Sequence, residues 1–272
     1  LLLAGIGGFI VGVLVNLLAD DLPVRRYRRE ALRTPFASSS TIPPEPSFFP
    51  RAPLVAWSGW GARLTGRSAF TSPRWTRRLA VELLMPLAYI FIVATFGTEP
   101  RLVSLLIYAA LFTLIAVVDM ERRWILTSTL VALASVVVIE SVLTGADRIP
   151  QALRGALNGF LIAVGVYILG IVFARGLGLL RGRTVGRTVF GFADVWLIAA
   201  CGLVVGWPNI GIALVLTAFM GAAGALVVIF GPKRGRRSTF AIPYAPYIVL
   251  GTALVHYLPW LVGMVLSRLY LR

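Results

Sequence analysis

The chain has 272 residues, 58% of them apolar and only 14% charged, yet its formal net charge is +15, from 26 Lys and Arg against 11 Asp and Glu. Soluble domains are nearer about 45–50% apolar and about 25% charged. The composition therefore excludes a soluble globular enzyme, a disordered basic tail and a nucleic-acid module, whose arginines need a folded polar surface to occupy; nucleic acid is not an expected partner. The class is all-α, a polytopic membrane protein. A single cysteine, Cys201, excludes an internal disulfide framework and any Cys-cluster zinc site.

A membrane span needs about 20 apolar residues, and the sequence predicts about eight spans. Leu1–Leu18 has the length of a signal peptide but no clear small-residue cleavage site, so it is expected to be the first span. A polar stretch, Asp20–Arg78, follows, Ser/Pro-rich and irregular over residues 38–46, with Trp57, Trp60 and Trp75 placed to seat against lipid headgroups. The remaining spans are Leu79–Phe96, Leu102–Val118, Trp124–Leu143, Ala152–Phe173, Asp194–Val205, Ile210–Phe230 and Ile242–Leu266. This gives a first transmembrane helix over residues 1–18, one larger loop region over 19–78 and a seven-helix membrane domain over 79–272. The connection Gly176–Gly182 reads as flexible, either a gate or a basic lipid-facing loop.

Basic residues set orientation. Eleven Arg lie in Asp20–Arg78, two follow the third span, four the fifth and four Lys/Arg the seventh, so 21 of the 26 fall on one side. Both termini are then outside, and the four basic connections are cytoplasmic, against anionic lipid.

An ionisable residue in or beside a span is a functional candidate. Glu82 with Arg78 reads as a structural i, i+4 pair, and Glu140 as a residue that snorkels to the interface. His256, alone of its kind, reads as a core histidine. Cys201 and the segment Gly221–Ala225 read as packing residues. Asp119 and Asp194 differ from these. Two crossings separate them, so both lie at the same membrane edge on different helices. Asp194 near a helix N-terminus is favoured by the dipole in any case; Asp119, at a helix C-terminus, is not, and needs another reason. The two are either unrelated helix-end aspartates or a pair. Paired carboxylates cannot both ionise, so one draws a proton from water while the other polarises a peptide carbonyl.

At these residues the chain resembles the type IV prepilin peptidase family of membrane aspartic peptidases. Asp119-Met120-Glu121-Arg122-Arg123-Trp124-Ile125-Leu126 is similar to the family's first Asp motif, with Leu126 where Pro is usual. Gly191-Phe192-Ala193-Asp194-Val195-Trp196 is similar to Gly-x-Gly-Asp-Val-Lys, with Ala193 for the second glycine and Trp196 for the lysine. Gly206-Trp207 and Ile242-Pro243-Tyr244-Ala245-Pro246-Tyr247 also fit. So do Gly7-Gly8-Phe9, Asn16 through Pro23 with Asp21 replacing an Arg, and Val81-Glu82-Leu83-Leu84.

The resemblance implies a membrane aspartic endopeptidase of the bacterial cytoplasmic membrane. Asp119 and Asp194 would be catalytic, and Gly191, Ala193, Glu121, Pro243 and Pro246 would bind substrate or shape the site. The implied substrate is a prepilin or pseudopilin precursor, cut after a short basic leader at the cytoplasmic edge. Glu121 joins the two aspartates as the acids on hand to draw a basic leader to a basic face. Ala193 would be tolerated in a helical conformation and would impair the site in a left-handed turn. Trp196 removes a cation that could tune Asp194 or hold a substrate carbonyl. Some relatives also N-methylate the product and carry paired Cys-x-x-Cys zinc motifs in the first loop, which this chain cannot form. Proteolysis is expected to need no cofactor, zinc is not expected, and S-adenosylmethionine enters only if methylation is present. The alternatives are a catalytically degenerate family member, a related protease that cuts other helices, and a transporter using the two aspartates as an ion site.

Overall fold

A computed structural model of the chain describes residues 1–33, 58, 75–97, 99–181, 191–230, 243–260, 263, 264 and 267. Among them the α-helices are α1 (Leu2–Arg33), α2 (Trp75–Phe96), α3 (Leu102–Arg122), α4 (Thr127–Thr144), α5 (Ile149–Arg181), α6 (Phe192–Val205), α7 (Asn209–Phe230) and α8 (Ala245–Tyr257), with a 3-10 turn at Ala146–Arg148. Six helices are long and apolar enough to cross a membrane; α6 and α8 are apolar but shorter. Large apolar side chains stay exposed along the helices, among them Leu153, Leu157, Leu161 and Val172 on α5 and Phe219, Val227 and Phe230 on α7. So much exposed apolar surface suits lipid rather than water. The protein is an all-helical, multi-pass membrane protein.

The helices follow the expected spans in order but differ at their ends. α1 runs 15 residues beyond Leu18, because i, i+4 pairs carry it through polar sequence: Arg25 Nε donates to Asp21 at 2.5 Å and Arg26 Nε to Glu30 at 2.8 Å. α5 continues to Arg181, so Gly176 and Gly178, expected in a flexible connection, are helical. Its 33 residues reach about 50 Å, well beyond the hydrocarbon core. α8 breaks after Tyr257, where non-helical Leu258 precedes Pro259, whose ring disfavours the α conformation before it; the described residues beyond, 259, 260, 263, 264 and 267, are helical again. The irregular segment 38–46, Trp57, Trp60 and most of the basic clusters lie outside the described residues.

The chain divides into two compact units, Leu1–Val118 and Asp119–Arg272. In the first, α1 packs on α2 along one stripe of α1, Gly8, Gly12, Asn16 and Asp20. A Cβ at Gly8 would lie 2.6 Å from the Pro86 backbone. Asn16 Nδ2 donates to the Arg78 carbonyl at 3.1 Å and to Glu82 at 3.3 Å. Asp20 accepts from Arg77 at 3.1 Å and Arg78 at 2.7 Å. The expected Arg78–Glu82 pair is thus replaced: Arg78 pairs with Asp20, and Glu82 is buried against α1.

In the second unit α5 and α6 are antiparallel, and their backbones touch. A Cβ on Gly155 would run into the Gly202 carbonyl and one on Gly202 into the Gly155 carbonyl, while Gly159 sits against Ile198. Small residues at helical spacing are what permit such an approach. Tyr167 then meets Phe192 at the start of α6, with ring centroids 5.8 Å apart. At the opposite end of α6, Arg148 pairs with Glu140 and donates to the Val204 carbonyl at 2.9 Å. Glu140 is therefore buried and paired rather than snorkelling. α8 packs on α6 and α7, with Thr217 of α7 donating to the Tyr247 carbonyl at 3.2 Å.

The α5–α6 contact predicts a sharp local sensitivity. Gly202→Ala is expected to destabilise the detergent-purified protein by about 1–3 kcal/mol through overpacking, seen as a lower thermal unfolding midpoint. Gly165→Ala, on α5 but with nothing near its would-be Cβ, leaves the midpoint unchanged or higher.

Candidate active site

Asp119 lies in the last turn of α3. It is buried, at 5% exposure. Its carboxylate Oδ2 accepts the backbone N–H of Ala245 at 3.2 Å. Ala245 is the first residue of α8, so Asp119 sits at the C-terminus of its own helix and the N-terminus of another. That resolves the question its position raises. The positive end of a helix dipole stabilises a carboxylate, by about 0.3–1 kcal/mol at an exposed site and up to about 2 kcal/mol when partly buried.

Asp194 is the third residue of α6 and half-buried. Its Oδ2 accepts the Gly191 N–H at 3.0 Å, and its own N–H donates to the Gly191 carbonyl at 3.0 Å. This reciprocal pair fixes the first turn of α6. Gly191 is extended (φ −86°, ψ 146°), so its backbone does not require glycine. Its surroundings are tight: a Cβ there would lie 3.2 Å from the Asp194 carboxylate, which would have to give by a few tenths of an ångström.

The two aspartates open onto one cavity of about 130 Å³, lined by Asp119, Arg123, Ile125, Gly191, Ala193, Asp194, Pro243 and Tyr244. The elements that build it are the end of α3, the segment after it, the start of α6 and the entry to α8. Each carboxylate holds a helix N-terminal N–H, and each can turn its remaining oxygen to water or substrate. Among the described residues no group of three or more His, Cys, Asp or Glu is arranged to hold a metal ion.

Of the residues singled out in the sequence, Asp119, Asp194, Gly191, Ala193 and Pro243 come together at this cavity. Glu121 is exposed on the last turn of α3, and Pro246 is the second residue of α8; neither lines it. Arg123, Ile125 and Tyr244 line it without having been singled out. All three lie inside the quoted motifs, but Arg123 had been counted only as a topological charge, and Ile125 and Tyr244 are apolar or aromatic residues of a kind common throughout the chain.

The three departures have structural answers. Ala193 is helical, and Arg123 is the non-glycine residue with positive φ among those described. Leu126 precedes α4 at φ −82°, close to the angle a proline would impose. Trp196 points away from the cavity and packs on Phe160 and Phe192, at centroid distances of 5.3 and 6.3 Å.

The family model described as the type IV leader peptidase family matches residues 105–226, a range that holds both aspartates. A prepilin leader peptidase/N-methyltransferase of Aeromonas salmonicida is 24% identical over 283 residues, covering 96% of this chain and 90% of that protein. A protein of the same name from Aeromonas hydrophila is 24% identical over 219 residues, covering 80% of this chain and 69% of that protein. No solved structure matches. The family found by comparison is the one drawn from the motifs, and the enzyme class follows: a peptidase.

The geometry at the start of α6 separates two neighbouring substitutions. Ala193→Gly relieves nothing, since Ala193 is already helical, and is expected to cost up to about 1 kcal/mol of stability without a gain in peptidase rate. Gly191→Ala presses a methyl group on the Asp194 carboxylate and lowers the rate. Thermal unfolding and peptide cleavage, measured on the same preparations, check both.

Proposed function

We propose that this chain, with its type IV leader peptidase match over residues 105–226, removes the short basic leader of a prepilin-like or pseudopilin precursor, with Asp119 and Asp194 as its catalytic dyad. The observation that carries the reading is that two carboxylates from separate helices line one small cavity, each anchored through a single oxygen. One carboxylate, ionised, accepts a proton as water attacks the scissile carbonyl carbon. The other, protonated, donates to the carbonyl oxygen. Collapse of the tetrahedral gem-diol breaks the C–N bond: the first carboxylate gives its proton to the leaving amine, and the second recovers its proton from a gem-diol hydroxyl as that oxygen becomes the new carbonyl. No covalent intermediate or metal enters.

The substrate class fits the exposed apolar helix faces, against which the apolar segment that follows the leader can lie in lipid. The excess of Lys and Arg in four alternate connections supports an inner-membrane protein with both termini outside, its cavity at the cytoplasmic edge against anionic lipid. A helical Ala193 and a Trp196 outside the cavity support an active rather than a degenerate enzyme.

The test is co-expression with a pilin-like precursor, reading leader removal by mass. Asp119→Asn and Asp194→Asn each keep an oxygen for the N–H they accept but lose the charge, so folding should survive while cleavage falls by at least about 100-fold. Cleavage that persists in both variants overturns the dyad, and no cleavage by the unmutated chain favours the degenerate alternative. The same spectra read the N-methyltransferase half of the relatives' names, since methylation adds the mass of one methylene to the product.

A further inference from the structure

The cavity carries a cation that the dyad does not by itself require. Arg123 follows α3, donates its N–H to the Asp119 carbonyl at 2.8 Å and takes φ +56°. That is the left-handed cap with which helices end, a position usually filled by glycine and sometimes asparagine. A long charged residue in a disfavoured conformation at a functional cavity calls for an explanation in function. Arg123 lines the cavity beside both carboxylates, and its charge acts on Asp119. The position where the family usually has lysine holds Trp196, which packs on aromatic rings outside the cavity.

We infer that Arg123 is a positioning residue for the carboxylate pair, its guanidinium keeping Asp119 ionised so that Asp194 carries the shared proton. This rests on the peptidase reading above. The backbone bonds do not choose between the two acids, because each accepts one N–H from a helix N-terminus. The ionisable side chains lining the cavity are Asp119 and Arg123 at the end of α3, Asp194 at the start of α6 and Tyr244 before α8. Glu121 and Arg122 share the last turn of α3 and oppose each other in charge. Tyr244 is uncharged near neutral pH. Arg123 is the cation among these groups, and its charge acts on Asp119. Asp119 then takes the proton from the attacking water, and Asp194 gives its proton to the carbonyl oxygen.

The experiment uses the full chain in lipid nanodiscs with Arg123→Gln, Arg123→Lys and Arg123→Gly. Glycine suits the left-handed cap, so Arg123→Gly keeps or raises the unfolding midpoint and isolates the loss of charge from any loss of fold. With a synthetic leader peptide, the Gln and Gly variants should lower kcat with little change in KM. Their acid limb should move up by about one pH unit, as loss of a nearby cation requires, and Lys should restore it. Infrared spectra at neutral pH give a second readout that does not need turnover. In the otherwise unmutated chain, Asp119→Asn should remove an ionised-carboxylate band and Asp194→Asn a protonated-carboxyl band; Arg123→Gln should blur that assignment. A pH profile and spectrum unchanged in Arg123→Gln and Arg123→Gly overturn the inference, whether or not the peptidase reading stands. Cleavage that survives both Asp119→Asn and Asp194→Asn overturns the dyad on which this inference rests, and is seen separately from the spectra.

Discussion

Two helix N-termini, each offering a backbone N–H to one carboxylate, are the constraint around which the second unit is arranged. α6 offers Gly191 to Asp194, and α8 offers Ala245 to Asp119. Both are shorter than the other α-helices among the described residues. An aspartate beside lipid is costly unless hydrogen bonds and favourable dipoles offset its desolvation. The start of a helix supplies both. The reciprocal contact of Gly155 and Gly202 lets α6 lie backbone to backbone on α5, and Arg148 holds its far end. α8 is fixed against α6 and α7. The helix packing thus serves to bring two starts of helices to the same place.

This arrangement separates the structural from the chemical role of Asp194. As the third residue of α6 it would be a good helix-start residue in any protein, and its bond to Gly191 is an ordinary one. What is unusual is that its carboxylate shares a cavity with a second, from a helix that ends there. Asp119 has no local reason to be where it is; its partner is 126 residues further along the chain. The unequal surroundings then come from Arg123, on the same turn of backbone that ends α3.

Much of this was legible in the sequence. Apolar runs gave the order of the eight helices among the described residues, since hydropathy marks where side chains meet lipid. Asp119, Asp194, Gly191, Ala193 and Pro243 were legible as candidate residues through their motifs, and the structure collects them around one cavity. Helix ends were less legible. α1 continues past Leu18 on charged pairs that in sequence resemble a polar loop, and a proline after Leu258 breaks α8 within an apolar run. The partners of polar residues were not legible where long-range packing chose them. Arg78 is within reach of Glu82 along α2 but pairs with Asp20, and Glu140 is buried beneath Arg148. Arg123 was hidden by its company, because an arginine after a span reads as topology until its backbone angle and its place in the cavity are known.

The central claim is that the two carboxylates face each other across one small cavity, and thiol cross-linking tests it most directly. In a Cys201→Ala background, Asp119→Cys with Asp194→Cys should be bridged by a short bifunctional thiol reagent in membranes, giving an intramolecular cross-link by mass. Glu121→Cys with Asp194→Cys, one position facing away from the cavity, should bridge poorly. A cross-link that fails for the first pair, or forms equally for both, would contradict the account.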